Sequence, residues 1–153
     1  MLQAFPVGAG ATFSRRFSAS HLGTDIFSAE HAPIIAVETG SARTDDDPRG
    51  GLVVYLKADS GWSYYYAHLS SYEGVFPRRV RAGEVIGYMG NTGNASGGPQ
   101  HLHFQVATPQ GETVDPYDYL LQAQRGVGAG GTRFPWLVVG AAAVAAVWYL
   151  WRK

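Results

Sequence analysis

Apolar and polar positions alternate clearly in several short stretches of the chain. His101-Leu102-His103-Phe104-Gln105-Val106 alternates with period two and is rich in aromatic and β-branched residues, so it predicts a strand. Leu52–Lys57 and Trp62–Leu69 predict two further strands, with Asp59-Ser60-Gly61 as the hairpin turn between them. Ile34–Val37 is a short apolar strand, Asp25-Ile26-Phe27 opens another, and Phe13–Phe17 reads as an edge strand. Gly83–Gly90 reads as a strand whose glycines permit close backbone approach. Asp45–Gly51 reads as an exposed turn, and Val75–Ala82, with Arg78, Arg79 and Arg81, as a polar connection. A short helix is expected from Asp115-Pro116-Tyr117 through Ala123.

The pattern changes after residue 125. Residues 126–133 form a glycine-rich linker, and Phe134–Trp151 contains no charge and precedes Arg152-Lys153. Eighteen helical residues extend about 27 Å, against a hydrocarbon core of roughly 30 Å. Trp136 stands near one end and Trp148, Tyr149 and Trp151 near the other, as in an aromatic belt. The expectation is a domain over 1–125, a transmembrane helix over 134–151 and a basic tail at 152–153.

Composition narrows the chemistry. The 153 residues carry 12 basic and 12 acidic side chains, so nothing suggests nucleic acid as a partner. Without cysteine there is neither a disulfide framework nor a thiolate metal site, and any metal must be held by His, Asp or Glu. Twenty glycines, nine tyrosines and eight prolines favour many short strands and turns. Met1–Ser20 lacks the apolar run of a signal peptide, and Arg15-Arg16 lacks the one that follows a twin-arginine motif.

On a strand, His101 and His103 share one face, about 6–7 Å apart at Cα. One can bind a metal while the other handles protons. His21 and Asp25 flank a turn at Gly23 and are suitable zinc ligands, though on these residues alone a turn-capping Asp and a surface His are the favoured reading. His68 closes a tyrosine-rich strand, either packed against backbone or facing a groove. His31 is a loop residue with no role in chemistry. Asp45-Asp46-Asp47 lacks the spacing and closing Glu of a calcium loop.

Four motifs occur in order: His21-x-x-x-Asp25, Tyr66-Ala67-His68-Leu69, Gly90-Asn91-Thr92-Gly93 and His101-Leu102-His103-Phe104. Together, over roughly Phe13–Tyr119, they resemble the lysostaphin-type (LytM-like) zinc endopeptidases that cut peptidoglycan peptides. The resemblance implies an all-β, mostly antiparallel sheet or sandwich (the duplicated hybrid motif) with a substrate groove. It implies one Zn²⁺ held by His21, Asp25 and His103, and a catalytic pair His68 and His101, with His101 the first choice as general base. Loops 41–51 and 91–100 are the expected groove walls, and Tyr64, Tyr65, Tyr66 and Tyr72 candidate contacts. Three departures stand out. Arg15, Arg16 and Phe17 occupy the region where many relatives carry an oxyanion-stabilising Tyr. Glu30-His31-Ala32-Pro33 replaces the usual glycine after the first strand. Gln100 is inserted before the histidine pair.

Two other functions are weighed. One is a metal-binding cell-wall module that activates another hydrolase, which such chains reach by losing ligands; here all five residues are present. The other is a non-haem iron oxygenase with two His and one carboxylate, which leaves His68 and His101 unexplained. The tail places the expected protein in a bacterial membrane, single-pass, with the catalytic domain facing the wall or periplasm; a phage origin fits equally.

Overall fold

The computed structural model describes residues 2–8, 10–13 and 16–126. Ten strands run in the order β1 (Thr12–Phe13), β2 (Thr24–Phe27), β3 (Pro33–Ile35), β4 (Gly40–Asp47), β5 (Gly51–Ala58), β6 (Ser63–Tyr72), β7 (Arg78–Val80), β8 (Val85–Met89), β9 (Leu102–Ala107) and β10 (Thr113–Val114), followed by helix α1 (Tyr117–Gln124). The main sheet has the order β1-β2-β9-β6-β5-β4-β7, with β10 on β9, and β8 pairing both β3 and β6. Every pairing is antiparallel. The expected antiparallel β architecture is therefore present.

Alternation along the strands sorts side chains between core and cleft. On β9, Leu102, Phe104 and Val106 are buried while His103 and Gln105 project from the other face. On β6, Tyr64 and Tyr66 point into the core and flank Phe104, with ring centroids 6.0 and 5.2 Å away. The Tyr66 hydroxyl accepts the Val37 N–H at 3.0 Å. The buried Glu38 carboxylate accepts Tyr64 Oη at 2.7 Å and Ser60 Oγ at 2.6 Å, which satisfies its oxygens away from water.

Four strands differ from the sequence expectation. Asp45–Asp47 belongs to β4, because β5 imposes a continuous register from Gly40↔Ala58 to Asp47↔Gly51, and only residues 48–50 turn. Arg78–Val80 forms β7 by covering the edge of β4, and Thr113–Val114 pairs with β9. Such pairings override weak local β preference. The edge strand β1 is Thr12–Phe13; Arg16 and Phe17 are not strand, and residues 14 and 15 lie outside the described residues.

The membrane expectation needs correction. Among the described residues no helix is long and apolar enough to cross a membrane. The described α-helix, α1, has eight residues, about 12 Å of length against roughly 30 Å of hydrocarbon. The predicted span 134–151 lies outside the described residues. The membrane partner and the single-pass location with its outward-facing domain therefore lose their support, and only the β architecture of the expected fold class stands.

Candidate metal and catalytic centre

Sheet register builds the centre. Asp25 on β2 lies directly opposite His103 on β9, and Ala67 on β6 faces His103 from the other side. Asp25 Oδ1 receives His103 Nδ1 at 2.9 Å and His21 Nε2 at 3.2 Å. The three ligand-type atoms of His21, Asp25 and His103 all lie within 4.8 Å of one another. A zinc ion takes donor atoms about 3.3 Å apart, and the Asp25–His103 and Asp25–His21 pairs, at 2.9 and 3.2 Å, are near that spacing. The donors, two imidazoles and a carboxylate, are also of the type such an ion takes. His21 Nδ1 is buried with no hydrogen-bond partner. Burial alone would raise the Asp25 carboxyl, but the His103 hydrogen bond and the surrounding imidazoles outweigh it and hold it at about 2. Asp25 thus remains ionised, as a ligand must be.

Close packing positions this set. Gly23 lies so near β9 that a Cβ there would come within 2.6 Å of the Phe104 carbonyl oxygen and 2.8 Å of the His103 ring. Gln105, two residues beyond His103 on the same face, puts its Nε2 3.0 Å from His103 Nε2. Side chains of this kind, one step behind a ligand, fix its orientation.

The two remaining histidines share one device. His68 Nδ1–H donates to the Thr92 carbonyl at 2.9 Å, and His101 Nδ1–H donates to the Pro99 carbonyl at 3.1 Å. In each ring this leaves Nε2 with a free lone pair. The rings lie 4.9 Å apart, and that of His68 is 6.0 Å from His103. His101 Nε2 is 4.0 Å from Asp25 Oδ1. His68 reaches the centre through backbone distortion: its φ is +67°, and the β5–β6 register slips between Leu52 and Val54. Such a bulge re-aims a side chain. The backbone N–H of His68 then donates to the Gly50 carbonyl at 2.7 Å. Burial pushes the His68 imidazole below its ordinary value; the Thr92 hydrogen bond opposes this, and the His101 and His103 rings reinforce it.

A cleft of about 910 Å³ opens over the centre. Both expected walls contribute, through Asp47, Arg49 and Gly50 on one side and Asn94 and Ala95 on the other, and the segment Ala19–Leu22 adds an unexpected third. The first two walls are tied together. Thr92 Oγ1 accepts Leu52 N–H at 3.0 Å and donates to the Leu69 carbonyl at 2.7 Å, and Asn94 N–H donates to the Arg49 carbonyl at 2.9 Å. Of the four tyrosines, Tyr65 lines the cleft, beside Tyr55, while Tyr64 and Tyr66 are core and Tyr72 donates to the Asp45 carbonyl at 2.6 Å. Arg16 is exposed and does not line the cleft, and Arg15 lies outside the described residues.

The inserted Gln100 also has a place. Its Oε1 accepts the His31 N–H at 2.8 Å, which ties the segment carrying His101 to the turn before β3. His31 adopts φ +54° there, with its Nδ1 3.4 Å from Ser70 Oγ. Sequence reasoning missed Gln105, although the period-two argument that paired His101 with His103 reaches it as well. It also missed Tyr55, while Thr92 and Arg49 fall within an expected motif and an expected wall without a task of their own.

The profile of peptidase family M23 matches residues 19–116. Lysostaphin of Staphylococcus simulans is 33% identical over 121 residues, covering 75% of this chain and 24% of that protein. The DD-carboxypeptidase/endopeptidase Mpg of Neisseria meningitidis is 33% identical over 102 residues, covering 66% of this chain and 23% of that protein. The chain thus spans about a quarter of the length of these relatives. Among solved structures, the catalytic domain of lysostaphin from Staphylococcus simulans superposes with a TM-score of 0.59 at 27% identity, over 78% of this chain and 88% of that one.

Proposed function

The chain belongs to peptidase family M23, and from this membership we propose that it is a zinc-dependent endopeptidase hydrolysing peptide bonds in peptidoglycan stem peptides or cross-bridges. One observation carries the reading. Two imidazoles and a carboxylate converge at metal-ligand spacing beside two further imidazoles, each tied to a backbone carbonyl through Nδ1. An oxygenase with the same ligands would leave that second pair without a task.

His21, Asp25 and His103 would hold the ion. When bound, zinc supplies Lewis-acid polarisation of the scissile carbonyl and a more acidic water. The chain's own residues then do the following work. His101 Nε2, free and facing the ligand cluster, takes a proton from the attacking water and returns it to the leaving amine nitrogen. His68 Nε2, with its own free lone pair and its ring 4.9 Å from that of His101, accepts a hydrogen bond from the attacking water and orients it. The carbonyls of Thr92 and Pro99 keep both rings in the tautomer this requires. The cleft walls hold the peptide extended across the sheet face.

The test is metal analysis combined with peptidoglycan digestion. His103→Ala abolishes both zinc binding and wall cleavage. His101→Ala keeps zinc and loses cleavage. Full activity in either variant overturns the proposal, and zinc binding by the unaltered chain without any cleavage would make it a non-catalytic wall module.

A further inference from the structure

Arg49 sits in the turn between β4 and β5 and lines the cleft. Its backbone is fixed on both sides. The N–H donates to Asp47 Oδ1 at 2.8 Å, and the carbonyl accepts Asn94 N–H at 2.9 Å. The next residue, Gly50, holds His68 through its carbonyl. Arg49 therefore lies on the His68 side of the centre, on backbone that cannot drift far.

Its guanidinium has no counter-ion. Among the described residues, Arg43 pairs with Asp45, Arg78 with Glu84 and Arg79 with Asp59, while Arg49 has no carboxylate within ion-pair distance. Asp47, two residues earlier, is already committed. Its Oδ1 accepts the N–H groups of Arg49 and Gly50, and its Oδ2 accepts Tyr65 Oη at 3.0 Å. Asp25, the other acid lining the cleft, is held by His21 and His103. Among the described residues, Arg49 is thus the one Lys or Arg lining the cleft, and the two acids that line it are satisfied by other groups. Tyr55 and Tyr65, with rings 5.1 Å apart, give the cleft an aromatic surface close by.

A planar guanidinium with a fork of N–H donors is matched by a carboxylate, which it grips through two parallel hydrogen bonds. We propose that Arg49 is the specificity residue of this cleft: it takes a free carboxylate of the peptide substrate on the His68 side of the scissile bond, so that the protein favours acidic peptides over uncharged ones such as oligoglycine. This rests on the endopeptidase reading above. The carboxylate can come from a peptide C-terminus or from an acidic side chain; the chemistry at Arg49 is the same.

Three synthetic peptides of equal length separate the sources. One has a free C-terminus and uncharged side chains, one is its C-terminal amide, and one is an amide carrying a single internal Glu. Affinity is measured by calorimetry on zinc-depleted protein, and kcat/KM on the zinc-loaded form. At least one acidic peptide binds about tenfold more tightly than the neutral amide at low salt, and the preference fades as salt is raised. Arg49→Gln brings that ratio to about one, and Arg49→Lys restores only part of it, because a point charge lacks the fork. The acidic peptide that shows the effect names the source. Equal affinity for all three peptides, or a preference that survives Arg49→Gln, overturns the proposal. Because affinity is read without zinc, a preference without cleavage would sink the endopeptidase reading alone, and cleavage without a preference this subsite alone.

Discussion

Replacing Gly23 by Ala adds a single methyl at the tightest point of the centre. The new Cβ would stand 2.6 Å from the Phe104 carbonyl oxygen and 2.8 Å from Cε1 and Nε2 of His103, where ordinary contact begins at 3.4 Å. The carbonyl is part of β9 and can retreat only by moving the strand about 0.8 Å away from β2. The imidazole must retreat by about 0.6 Å. Metal–ligand bonds tolerate only about 0.2 Å of displacement. The variant therefore loses His103 as a properly placed ligand, and metal affinity falls by at least about 100-fold. Overpacking of this kind costs about 1–3 kcal/mol, and at about 4 °C per kcal/mol the apo protein melts some 4–12 °C lower. Zinc affinity is read by competition with a chromophoric chelator, and melting by far-UV circular dichroism. Gly8→Ala serves as a control, since its Cβ would meet nothing closer than 3.9 Å. If Gly23→Ala binds zinc as tightly as the unaltered chain and melts at the same temperature, the inferred approach of β2 to β9 is wrong.

Three further predictions bear on the supports of the centre. Thr92→Val keeps the side-chain shape but strips Leu52 N–H and the Leu69 carbonyl of their partner; it costs about 2 kcal/mol and roughly 8 °C of melting temperature, and a shift below about 1 °C would refute the wall tie. Gln100→Ala frees the His101 segment from His31, so kcat falls with little change in zinc affinity, whereas Gln100→Glu keeps the acceptor oxygen and most of the rate; equal rates for the two variants would remove Gln100 as a positioning residue. In the metal-free protein His68 stays neutral to lower pH than an exposed imidazole, because burial disfavours its cation, so a ¹⁵N NMR titration gives a midpoint below 6.5; a midpoint at or above 6.5 contradicts the burial argument.

How far the centre could be read from sequence depends on which contacts are local. His101 and His103 were legible because period-two geometry acts over three residues. Asp25 is not legible alone, since a turn-capping role is the better local reading until β2 is laid opposite β9, and His103 lies 78 residues away in sequence. His68 was found by its motif, but its aim depends on a positive φ and a register slip that no local preference for His predicts. Three consecutive Asp disfavour strand locally, so Asp45–Asp47 resembles a turn in sequence, and only pairing with β5 overrides that preference. The insertion at Gln100 was visible as a departure, yet its partner at His31 is again a long-range fact.

Gln105 bears on which tautomer the His103 ring can adopt. His103 presents Nδ1–H to Asp25 and a bare Nε2 to the Gln105 amide nitrogen. Coordination through Nδ1 requires the opposite tautomer, in which Nε2 carries the proton and needs an acceptor. A carboxamide offers both: turning over about its last bond exchanges a donor for an acceptor with almost no change of shape. An ion bound by Nδ1 would favour that tautomer; the Nδ1 proton would leave to solvent, Nε2 would take one from solvent, and the amide would turn to accept it. A glutamate at this position would accept from Nε2–H but could not donate to a bare Nε2, so it would suit one tautomer of His103 where Gln105 suits both.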